Sequence, residues 1–206
     1  PGGHPEDFEV TSLQGLEDGE LTRVVVDVAG EISNPWAGEG MTAQLLHIYL
    51  GVPEGTPPGT GAGRVECLPG TGAAARTAQP WQLALVASGL HRGPGEGTGL
   101  YDACAHLVSD VDLVVSRRQQ IVLTLPTAAL GGMDLPQARI FVLMADAVGD
   151  AREPGRSGGG FDQVALAALH PRVRCVPGLD LPAGGVAAGA HLVLPALTVE
   201  WVGQGS

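Results

Sequence analysis

The sequence predicts an all-β fold, an antiparallel β-sandwich of jelly-roll or immunoglobulin-like type with long Gly/Pro-rich loops and one or two short helical turns. Three observations carry this. Short apolar, β-branched runs recur along the chain, several of them alternating with polar residues. The 32 glycines and 16 prolines cluster between those runs, where turns belong. No strand–helix–strand rhythm of a parallel sheet appears.

In chain order, Phe8, Val10 and Leu13 alternate with polar neighbours as an opening strand, and Glu17-Asp18-Gly19 turns the chain. Residues 21–28 and 42–50 form the next two strands. Between them Ser33-Asn34-Pro35-Trp36 and a Gly-rich turn make a corner, stiffened because Pro35 fixes its own φ and extends Asn34. A Pro/Gly loop at 52–61 precedes a short strand at 64–68. The near-continuous apolar run 81–87 belongs at the centre of a sheet. After a loop at 89–99 come β-like runs at 103–107, 111–115 and 120–125, the last stopped by Pro126. A helical turn at 127–132, a buried strand at 139–145, a polar loop at 146–161, a helical segment at 163–169 and one or two closing strands within 190–201 complete the reading.

At 206 residues the chain suits one domain spanning 1–206, and its opening Pro1-Gly2-Gly3-His4 reads as cut from a longer exported protein. The formal charge is −11, with all 11 basic residues Arg. No basic face exists to neutralise phosphates, which argues against nucleic acid and anionic membrane surfaces. No apolar run reaches the ~20 residues of a membrane span. An acidic surface fits an extracellular or cell-surface module and leaves room for a divalent cation. Cys67, Cys104 and Cys175 show no zinc-site spacing; they allow one disulfide in any of three pairings, or buried free thiols.

Catalytic motifs are missing. There is no G-x-S-x-G elbow and no P-loop. Carboxylate pairs occur at Asp110/Asp112 and Asp146/Asp150, but glycoside hydrolysis needs a pair facing across a cleft. The loop carrying Asp146, Asp150 and Asp162 offers hard oxygen donors in a Gly-rich frame, making it the candidate calcium site. The six histidines do not cluster, and His47 and His106 read as strand residues. Met41, Met133 and Met144 could each pair with a His as axial haem ligands, without an attachment motif. Sugar binding asks for exposed aromatic faces beside hydrogen-bonding groups. Trp81 and Tyr49 read as core, leaving Trp36 with Asn34, Tyr101 and Trp201 as ligand-binding candidates. For Trp36 two readings stand, a core plug under the corner or an open platform.

Asn34-Pro35-Trp36, followed by Gly38, Gly40 and the strand Leu46-His47-Ile48-Tyr49, resembles the signature of the C-terminal binding module of glucodextranases and some pullulanases. Leu68-Pro69-Gly70, the Trp81 strand, residues 118–126 and Phe141-Val142-Leu143-Met144 follow in the matching order, so the resemblance covers about residues 7–180. That family is similar to family 9 carbohydrate-binding and DOMON-like sandwiches, some of which bind haem. The resemblance implies a non-catalytic module binding polysaccharide or cell-wall glycan, or anchoring to the cell envelope, on a polypeptide that could carry a glycoside hydrolase domain. The alternatives are a structural assembly domain contacting neighbouring domains of a surface complex, and a b-type haem electron-transfer domain.

Overall fold

The computed structural model describes residues 5–35, 40–52, 64–68, 75–89, 97–146, 192–194, 196 and 200–203. The described residues form a β-sandwich with no α-helix among them. One five-stranded sheet runs in the order β13 (Glu200–Gly203), β1 (Val10–Asp18), β2 (Leu21–Val28), β10 (Gln120–Pro126), β9 (Asp112–Ser116). The second runs β11 (Arg139–Asp146), β3 (Gln44–Gly51), β6 (Leu83–Ala87), β7 (Gly99–Asp102), β8 (Leu107–Ser109). A small third sheet joins β12 (Leu192–Leu194), β5 (Ala75–Trp81) and β4 (Arg64–Glu66). Pairing is antiparallel except where β13 lies along β1 and β12 along β5.

The pleat explains how the layers stack. Side chains alternate between the faces of a strand, so β3 sends Leu46, Ile48 and Leu50 one way and Leu45, His47 and Tyr49 the other. The first set joins Val24, Val26, Ile121, Leu123 and their neighbours in the main core between the two large sheets. The second set meets Leu68, Trp81 and Phe141 in a separate core beneath the small sheet. Every residue of β3 is therefore buried, which is why its sequence, like that of β6 and β11, reads as a continuous apolar run. Among the described residues, the sheet that carries β2 and β10 buries alternate side chains, those of one face. On β2, Val24, Val26 and Val28 are buried while Arg23 faces solvent.

Trp81 and Tyr49 are core residues as expected, with ring centroids 5.0 Å apart, and the Trp81 Nε1–H donates to the Glu66 carbonyl at 3.1 Å. The helical turn is present as a 3₁₀ turn at Thr127–Leu130, closed by Gly131 in the left-handed region. Three local expectations are corrected. The opening strand starts at Val10, and Phe8 ends a 3₁₀ turn at Pro5–Phe8. The run 81–87 divides between β5 and β6 at Gln82. Residues 103–106 form the β7–β8 turn rather than a strand, because the Asp102 carboxylate accepts the backbone N–H groups of Cys104 (2.8 Å) and His106 (2.9 Å). The expected helix at 163–169 and nearly all of the polar loop 146–161 lie outside the described residues.

Candidate ligand-binding cleft

The corner after β2 is fastened on two sides. Toward the β9–β10 hairpin, the Val28 N–H donates to the Gln119 carbonyl at 2.8 Å and the Ile32 N–H to the Arg118 carbonyl at 2.7 Å. Toward β3, the Thr42 N–H donates to Ser33 O at 3.1 Å, the Thr42 hydroxyl to Asn34 Oδ1 at 2.9 Å, and Gln44 Nε2 to Glu31 O at 2.9 Å. Gly30 passes so close to the Pro5–Phe8 turn that an added Cβ would collide with Asp7, whose carboxylate accepts the Glu31 N–H at 2.8 Å. Gly40, four residues before β3, adopts φ +70° against Val115, a left-handed backbone that Gly enters without strain.

The hairpin that receives the corner is strained. Its two turn residues, Arg117 and Arg118, have φ of 53° and 58°, with the Gln119 N–H closing onto Ser116 O at 3.2 Å. Positive φ at both central residues is the mark of the primed turns that favour Asn-Gly, built here from two arginines within the three-residue connection between Ser116 and Gln120. Backbone held in such a region costs of order 1 kcal/mol per residue or more and tends to collect where a side chain is needed in one place. Arg118 reaches back across the gap, its Nη1 2.8 Å from Glu31 Oε1, while remaining 78% exposed.

Between corner and hairpin lies an open cleft of about 540 Å³, lined by Glu31, Ser33, Asn34, Pro35, Val115 and Arg118 among others. It presents a guanidinium, a carboxylate, a carboxamide and a hydroxyl beside the flat Pro35 ring, a set suited to hydroxyl-rich ligands. Glu31 is the one carboxylate among the described lining residues, so those residues contain no pair for acid/base hydrolysis.

The expected site residues fall in different places. Asn34 lies in the cleft, exposed, and also secures the corner through Thr42. Trp36 lies outside the described residues, although Pro35 before it and Gly40 after its turn both line the cleft. Tyr101 is corrected. It is only 6% exposed in the second core, its hydroxyl donating to Gly97 O at 3.0 Å, so its ring offers no open face. Trp201 sits in β13 opposite Gly15. Asp146 closes β11 opposite Gln44, and Asp150 and Asp162 lie outside the described residues. Met41 and Met144 are buried in the main core, whereas His47 points to the other face of β3. Sequence reading missed Arg118 and Glu31. The available signal was Arg117-Arg118 standing between two strand runs, where a tight hairpin calls for Asn-Gly.

His47 anchors the second core. Its Nδ1 lies 2.6 Å from Tyr49 Oη, which also accepts the Leu68 N–H at 3.1 Å. Tyr49 Oη therefore bridges His47 Nδ1 and the Leu68 N–H beside the Cys67 thiol, while His47 Nε2 has no partner among the described residues. Burial pushes His47 down from 6.5 to about 3 and pushes the Cys67 thiol up to about 12. Both groups are neutral packing elements.

The described residues make a β-sandwich with an open polar cleft between the corner and the β9–β10 hairpin. The family model of the C-terminal binding-module, SLH-like, of glucodextranase matches residues 3–157, and the chain belongs to that family. No curated protein matches the chain. Among the described residues no helix is long and apolar enough to cross a membrane.

Proposed function

We propose that this domain is the glycan-attachment module of a secreted or cell-surface protein, holding polysaccharide or cell-wall glycan non-catalytically in the cleft between the Asn34-Pro35 corner and the Arg117-Arg118 turn. The observation that carries this is the strained turn itself. Two arginines accept left-handed backbone so that one of them closes an open polar cleft against Glu31. Membership of a binding-module family supports the class of function. In this reading Arg118, Glu31 and Asn34 hydrogen-bond sugar hydroxyls, and Trp36, next along the chain from Pro35, supplies the stacking face.

The test is retention of the domain on α-glucans and on purified cell wall, with and without calcium. The proposal expects retention that drops at least about tenfold in Asn34→Ala and Trp36→Ala variants that circular dichroism shows to be folded, one or two lost contacts being worth about 1.4 kcal/mol or more. Asn34→Ala also removes the acceptor of the buried Thr42 hydroxyl, so its unfolding midpoint falls as well. Calcium dependence abolished by Asp150→Asn would add the polar loop to the site. A folded domain that no glycan retains would end this reading.

A further inference from the structure

We infer that the β7–β8 turn is a binding site for a borderline divalent transition ion, zinc or its analogues, formed by Asp102, Cys104 and His106. One carboxylate oxygen, the thiol sulfur and one imidazole nitrogen all lie within 4.8 Å of one another. The three donors are of three kinds, oxygen, sulfur and nitrogen, and that mixture suits zinc, cobalt or nickel rather than calcium or magnesium. Tetrahedral bonds of about 2.0–2.3 Å place ligand atoms about 3.4 Å apart, and the Asp102 Oδ2–His106 Nδ1 separation is already 3.3 Å. The exposed Cys104 and His106 side chains would have to turn inward from this spacing to reach bonding distance around an ion.

The turn holds the three side chains on one side. Asp102 Oδ1 is committed to the backbone N–H groups of Cys104 and His106, and Oδ2, which pairs with His106 Nδ1 at 3.3 Å, is the oxygen that an ion would take from that contact. Ala105 adopts φ 65°, and the Asp102 and His106 backbones close the hairpin through Asp102 N–H to His106 O at 2.9 Å. Cys104 is a free thiol, unlike a cysteine already committed to a disulfide. Three protein ligands on an exposed turn leave the fourth position to water, the arrangement of an open site. The spacing Asp-x-Cys-x-His matches no common zinc motif. The ligands converge because the turn reverses the chain, so the sequence alone hides them.

The experiment is a cobalt(II) titration of the reduced domain, followed by thiolate-to-cobalt charge-transfer absorption, with zinc as competitor. The inference expects one saturable equivalent of cobalt, displaced by zinc, with the absorption lost in Cys104→Ser and affinity down at least about tenfold in His106→Ala and in Asp102→Asn. Asp102→Asn keeps an oxygen for the two backbone N–H groups, so it tests the ligand and not the turn. Cys175→Ser should leave the titration unchanged. No charge-transfer absorption at millimolar cobalt, or absorption that survives Cys104→Ser, overturns the inference. Circular dichroism of each variant separates lost ligation from lost folding.

Discussion

Arg118 and Glu31, 87 residues apart in sequence, meet at 2.8 Å across the mouth of the corner cleft. The pair is exposed on both sides, so its contribution to stability is small, about 0–1 kcal/mol. Its position matters more than its energy. Replacing Arg118 with Ala should leave the urea unfolding midpoint nearly unchanged while lowering glycan retention at least about tenfold. A variant that unfolds early yet binds normally would contradict this assignment.

The two turn arginines allow strain and function to be separated. Substituting Arg117→Gly or Arg118→Gly relieves the left-handed backbone at each position and should raise stability by up to about 1 kcal/mol, the entropy of Gly in the unfolded chain offsetting part of the gain. Only Arg118→Gly should weaken glycan binding. Chemical denaturation of both variants, paired with a retention assay, checks the two expectations together.

His47 gives the domain an acid-sensitive core. The folded state keeps it neutral down to about pH 3, whereas the unfolded chain binds a proton below its ordinary 6.5. The unfolded state therefore holds more protons between those values, and stability falls as pH falls through that window. The slope approaches about 1.4 kcal/mol per pH unit, or about 2 kcal/mol lost from pH 7 to pH 5. Urea unfolding at both pH values, in the wild type and in His47→Gln, measures it. The variant should lose that share of the pH dependence, and an unchanged slope would refute the assignment.

Tyr49 is the partner on which that core depends. Tyr49→Phe removes the acceptor of the Leu68 N–H and the hydrogen-bond partner of His47 Nδ1, leaving two buried polar atoms unmatched. The expected cost is about 1–3 kcal/mol for each unsatisfied group, read as a lower unfolding midpoint. Trp81→Ala, which empties the same core beside Tyr49, should cost about 3–5 kcal/mol.

Much of the sandwich was legible in the residues, and the reasons are physical. Residues 21–28 and 120–125 alternate because their sheet buries one face. The runs around 45–50, 83–87 and 140–144 are continuous because theirs lies between two cores. Turn chemistry was legible where Gly or Pro made it, as at Gly19 and Gly131. It was hidden where a side chain made it. Asp102 folds residues 103–106 into a turn through its carboxylate, and their apolar neighbours imitate a strand. The cleft was half visible. Asn34 and Pro35 announce a stiff corner, but its other wall comes from the β9–β10 hairpin, and only folding brings Arg118 there.

The most direct test of the glycan-binding account is a two-dimensional ¹H–¹⁵N NMR titration of the domain with soluble α-glucan and cell-wall oligosaccharides. The account expects saturable shifts confined to residues around Glu31–Asn34, Gly40 and Val115–Arg118. Shifts centred instead on the separate cleft lined by Gln82, Ala129 and Met133, or no shifts at saturating oligosaccharide, would contradict it.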